Sequence, residues 1–78
     1  MGINIIKLMR NDKYIILLSL LELHTNKESR LSTRELGVLA NMSVFQAMYY
    51  LRKLQREGRV VMEGGGGRGR VAYWRRVN

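Results

Sequence analysis

The sequence predicts a mainly helical α+β domain: three helices followed by a C-terminal two-stranded β-hairpin. Three observations predict it. Two capping boxes, Ser32 with Glu35 and Ser43 with Gln46, mark two helix starts separated by a very short connector. An apolar stretch from Tyr14 to Leu23 makes a helix ahead of them. After Gly58 the pattern changes to two β-rich runs on either side of four consecutive glycines, Gly64 to Gly67.

Taken in order, residues 1–10 are apolar with Lys7 and Arg10 interspersed and show no clear period. A short strand, an extension of the first helix and a loose arm all fit them. Asn11 or Asp12 offers an N-cap for a helix of about twelve residues ending at Leu23 or His24. Its primary stripe is Tyr14, Leu17, Leu18 and Leu21, widened by Ile15, Ile16, Leu20 and Leu23. That surface is broader than one small helix must bury in its own domain; a partner on the far side would account for it, and so would wrapping of a central helix by strands and the N-terminal arm. Thr25 to Arg30 is a polar connector. The second helix, within Leu31 to Asn41, is capped at Ser32 and is expected to bury Leu36, Leu39 and Ala40, with Gly37 as a close-packing point.

Only Asn41 and Met42 precede the next cap, Ser43. Two capped helices joined by so tight a turn read as a helix-turn-helix. The third helix runs about fifteen residues until Gly58, which suits a left-handed C′ position. Val60 to Glu63 and Val71 to Trp74 then form the hairpin, with positive φ supplied by glycines at a tip expected to be mobile. Tyr73 and Trp74 point to opposite faces, one of them closing the core. The whole is a winged helix-turn-helix: one domain over 1–78, with an N-terminal arm at 1–10, the helix-turn-helix at 32–58 and the wing at 59–76.

The totals narrow the chemistry. A chain of 78 residues is near the lower limit for a single apolar core. Without cysteine there is no disulfide or thiolate metal site, and the lone His24 reads as a residue of a helix C-terminus rather than a ligand. No cofactor is implied, and no nucleophile and base pair can be assembled, so an enzyme is not expected. The net charge is +8, and from Arg52 onward eight basic residues face two acidic ones, against six and four before it. A positive field gathered in the C-terminal third is the footprint of a nucleic-acid binder, although a basic surface also serves solubility. Ile6 stands where a myristoylation motif needs Ser or Thr, and the apolar run Tyr14 to Leu21 is too short to cross a bilayer. A cytoplasmic, nucleoid-associated protein with no membrane contact is expected.

The third helix carries the candidate site. With about 100° per residue and Ala47 inward, Val44, Tyr50, Leu51 and Leu54 form the apolar stripe. The opposite side holds Phe45, Met48, Tyr49, Arg52, Lys53 and Arg56, with three cations, no carboxylate and two aromatic rings. The second helix of a helix-turn-helix enters the major groove with its first half near base edges and later residues near phosphates. Ser43, Phe45, Gln46, Met48 and Tyr49 are therefore the groove-facing candidates: Gln46 suits an adenine edge, Phe45 a thymine methyl, and Tyr49 a base or a phosphate. Arg52, Lys53 and Arg56 would hold the backbone, and Arg68 and Arg70 on the wing would gain from a narrow minor groove. A purely structural account also exists, in which Gln46 only caps and Phe45 or Tyr49 packs on the second helix.

The string Phe45-Gln46-Ala47-Met48-Tyr49-Tyr50-Leu51, with Leu54, Glu57-Gly58, Gly69 and Tyr73-Trp74, resembles the FaeA-like (PapI-type) regulators of bacterial fimbrial operons. The resemblance covers Leu31 to Trp74 and implies a winged-helix co-regulator of pilus gene expression and phase variation. It also implies double-stranded DNA as partner, together with a leucine-responsive global regulator protein on DNA containing GATC methylation sites. Phe45, Gln46, Tyr49 and the wing from Arg68 to Arg70 are the DNA-facing residues it carries over. Two departures stand out: Met48 replaces the family's usual Arg, and Gly64 to Gly67 replace a stiffer wing segment. The expected function is a sequence-specific DNA-binding transcriptional regulator, as monomer or weak dimer. The competing reading is a winged-helix module for protein interaction or RNA binding.

Overall fold

Capping chemistry fixes where the helices start, and a small sheet fixes where they sit. The computed structural model describes residues 12–65 and 69–77. The readings made for residues 1–10, for Gly66 and Gly67, and for Arg68 lie outside these residues. The described chain runs α1 (Asp12–His24), β1 (Leu31–Ser32), α2 (Thr33–Ala40), α3 (Val44–Arg56), β2 (Val60–Gly64) and β3 (Ala72–Arg76). This is the mainly helical, winged-helix-like α+β arrangement read from the sequence, with one addition. Leu31 and Ser32 pair antiparallel with Trp74 and Tyr73, so the C-terminal hairpin gains a third strand in the order β1-β3-β2. Two residues carry too little alternation to announce a strand, and Ser32 is also the N-cap of α2.

The core is Leu17 and Leu21 of α1, Leu36 of α2, Ala47, Leu51 and Leu54 of α3, Val60 of β2 and Trp74 of β3. Trp74 is the largest fully buried side chain and sits where the sheet meets the helices. Its indole N–H donates to Thr33 Oγ1 at 2.8 Å, so a polar ring atom is buried with its partner supplied. Thr33 explains a correction in α2. The buried edge is Thr33, Leu36 and Gly37, while Leu39, expected inside, is 54% exposed. Turning Thr33 to the indole and Gly37 to the following turn rotates the buried edge by three residue positions, a turn of roughly 60°, and carries Leu39 off the core.

Thr25 locks the end of α1 to the sheet. Its buried hydroxyl donates to the Leu21 carbonyl at 2.6 Å and accepts from the Arg76 backbone N–H at 2.9 Å. The sequence placed Thr25 in a solvated connector, because nothing local marks it as buried. On α1 itself, Leu17 and Leu21 are fully covered, but Ile15 and Leu23 are exposed, as the breadth of the apolar stripe anticipated. No helix among the described residues is long and apolar enough to cross a membrane.

Candidate nucleic-acid interface

α3 is positioned from its N-terminal end. Ser43 Oγ accepts from the Gln46 N–H at 3.0 Å, and Gln46 Oε1 accepts from the Ser43 N–H at 3.4 Å, completing the capping box. The preceding turn is closed by Asn41, which adopts φ 57° and ψ 50°, and by the Met42 N–H donating to the Gly37 carbonyl at 2.9 Å. A Cβ on Gly37 would stand 2.9 Å from the Met42 carbonyl oxygen, so only glycine lets the two helices approach this closely. At the other end Gly58 takes φ +75°, ending α3 at Arg56 after thirteen residues.

With the helix so held, Phe45, Tyr49, Arg52 and Arg56 form one stripe at i, i+4, i+7 and i+11 on its outer side. Phe45 is 87% exposed and Tyr49 62%, and both arginines are exposed. Both rings are thus largely bare, and Tyr49 meets its neighbour Tyr50 edge to face at 5.0 Å. Ser43 and Gln46 lie exposed beside the first turn, and the cap engages only the side-chain oxygen of Gln46, leaving its NH2 group unused by the cap.

Three candidates sit differently. Met48 is half-buried and packs against the core, on the edge of the stripe rather than its crest. Lys53 leans toward α1, its ammonium 5.6 Å from the centre of the Tyr14 ring. Val44, expected in the core stripe, is 41% exposed at the first position of α3.

The charge around the stripe is also arranged. Glu57, the carboxylate nearest the C-terminal end of α3, accepts from the Tyr14 hydroxyl and so faces α1. That bond, with burial and the Glu57 charge, raises the Tyr14 pKa above the ordinary tyrosine value, against a smaller opposing effect of Arg59. Glu63 is likewise occupied, bridging Arg30 and Arg75 on the outer face of the sheet. Arg52, Lys53, Arg56 and Arg70 make no ion pair among the described residues. On the wing, Arg70, Val71 and Tyr73 are exposed, with Tyr73 opposite to Trp74 as alternation required. The described residues contain no cluster of three or more His, Cys, Asp or Glu side chains that could hold a metal.

Two positioning residues escaped the sequence reading. Asn41 was visible in principle, since Asn tolerates the left-handed region better than most residues. Thr33 was not, because its partner lies 41 residues away in the chain.

Comparison with protein-family models finds a match to FaeA-like protein over residues 12–77. The chain belongs to the FaeA-like family. The match begins at the first residue of α1 and reaches past β3, so the FaeA-like unit includes α1, beyond the Leu31 to Trp74 segment on which the resemblance rested. FaeA-like membership suggests a regulator of the fimbrial type. A search of curated proteins found no match, and neither did a search of solved structures.

Proposed function

We propose that this FaeA-like protein is a sequence-specific DNA-binding regulator of fimbrial gene expression. In this reading α3 lies in the major groove and the wing lies on the adjacent minor groove or backbone. The observation that carries it is the outer stripe of α3: two rings and two guanidiniums left uncovered in a chain too small to waste apolar surface. Phe45, Gln46 and Tyr49 are at the N-terminal half, where side chains meet base edges; Arg52 and Arg56 follow, where they meet phosphates. Lys53, Arg68 and Arg70 supplement the backbone contacts, and Met48 supplies an apolar edge where other members present Arg. A leucine-responsive regulator on the same DNA is the proposed protein partner, and selection of bound sequences with and without it would define the operator.

The test separates affinity from discrimination. About five phosphate contacts give a slope of log affinity against log salt near −4 to −5. Alanine at Arg52 or Arg56 should weaken specific and random duplex alike, whereas Gln46→Ala or Tyr49→Ala should narrow the gap between them by about 1–3 kcal/mol per lost contact. If the second pair lowers affinity without changing discrimination, the base-reading assignment is wrong.

A protein-interaction role has its own support in Leu23, Val38 and Leu39, which are 77%, 75% and 54% exposed away from the α3 stripe. A partner recovered from lysate equally well after nuclease treatment would favour that reading.

A further inference from the structure

Strand alternation turns Arg76 inward. Ala72, Trp74 and Arg76 share one face of β3, and Trp74 on that face is fully buried. The backbone around Arg76 is committed: its N–H donates to Thr25 Oγ1 at 2.9 Å, and the Val77 N–H donates to the Arg59 carbonyl at 3.1 Å. The side chain is not. Arg76 Nε is shut from solvent, and among the described residues it has no hydrogen-bond partner and the guanidinium forms no ion pair. A charged donor in that condition calls for an acceptor.

The surroundings say which acceptor. Arg76 lines a cleft of about 230 Å³ with Leu18 and Glu22 of α1, Gly58, Arg59 and Val77. The backbone N–H groups of Gly58 and Arg59 already donate to Gln55 and Leu54, at 3.0 and 2.9 Å. The donors left to a guest are thus the guanidiniums of Arg76 and Arg59, the second also unpaired among the described residues. Leu18 and Val77 give an apolar wall, and Glu22 stands at the exposed rim. Two cations against one carboxylate leave a single net positive charge, which suits a monoanion better than a phosphate dianion. Guanidinium forks match the two oxygens of a carboxylate.

We propose that this cleft, on elements other than the outer stripe of α3, binds a carboxylate group between Arg76 and Arg59. The group comes from a small organic acid or from an acidic side chain of a partner protein; both offer the same two oxygens.

The experiment follows the arginine Nε–H signals of the intact chain by ¹⁵N NMR at constant ionic strength. Acetate, inorganic phosphate and a short end-blocked peptide with one glutamate are the probes. Acetate should shift the Arg76 and Arg59 signals saturably while Arg52 and Arg56 serve as exposed references. Arg76→Lys should weaken binding at least tenfold, Arg59→Lys at an exposed position should weaken it without touching the fold, and Glu22→Gln should tighten it several-fold. A peptide that binds more tightly than acetate assigns the site to a partner protein, and equal binding assigns it to a free acid. The proposal is overturned if Arg76 and Arg59 move no more than the references, or if phosphate binds better than acetate. It is also overturned if Glu22→Gln alone shifts the Arg76 signal as an internal partner would.

Discussion

Gly37→Ala tests how the turn places α3. The added Cβ would sit 2.9 Å from the Met42 carbonyl oxygen, a backbone atom that no side-chain rotation can move away. Two effects oppose each other. Alanine favours helix over glycine by about 1 kcal/mol. Forcing a methyl group into a filled contact costs about 1–3 kcal/mol. The turn cannot relax freely, because the Met42 N–H is bonded back to the Gly37 carbonyl at 2.9 Å and the Asn41 N–H to Val38 at 3.2 Å. The net expectation is a loss of about 1 kcal/mol, equivalent to a Tm lower by about 4–8 °C for a domain of this size. Urea unfolding followed by circular dichroism should show a lower midpoint with an unchanged slope. On the proposed DNA-binding reading, Ser43 and the first turn of α3 move with Met42, so specific DNA affinity should fall about tenfold under conditions where the variant is fully folded, the equivalent of about 1.4 kcal/mol. A variant more stable than the parent by about 1 kcal/mol would show that propensity alone acts, and that the two helices do not meet as closely as described.

Two further outcomes follow from the packing. Thr33→Val keeps the shape but strands the Trp74 indole N–H now bonded at 2.8 Å, so stability should drop by about 1–3 kcal/mol, and Thr33→Ser should recover most of it. Thermal unfolding read by tryptophan fluorescence checks this, and an unchanged Tm in the valine variant would refute it. Tyr14, its pKa raised chiefly by the hydrogen bond to Glu57, favours its neutral form in the folded state. Its contribution is therefore full below the ordinary tyrosine value of about 10 and is lost as pH rises through the higher folded-state value. Tyr14→Phe should flatten the fall of stability as pH rises above the ordinary tyrosine value of about 10, and identical pH slopes for the two proteins would count against the assignment.

Much of this protein is legible in its sequence, because the informative signals are short-range. A capping box spans four residues, so Ser32 with Glu35 and Ser43 with Gln46 announced both helix starts without reference to anything distant. Gly58 marked the end of α3 in the same way, and strand alternation sent Tyr73 and Trp74 to opposite faces before any partner was known. The stripe of Phe45, Tyr49, Arg52 and Arg56 follows from helical period alone once Ala47 is placed inside. Tertiary structure decided what depends on residues far apart in the chain. It recruited Leu31 and Ser32 into the sheet through pairing with Trp74 and Tyr73, and it turned α2 so that Thr33 meets the indole while Leu39 faces outward. It drew Lys53 and Glu57 toward Tyr14, and it placed Arg76 in a cleft with Arg59 and Glu22. Local periodicity fixes which face a side chain leaves its own element by, but what stands opposite that face is set by how the elements close on one another, and no window of a single helix or strand contains that information.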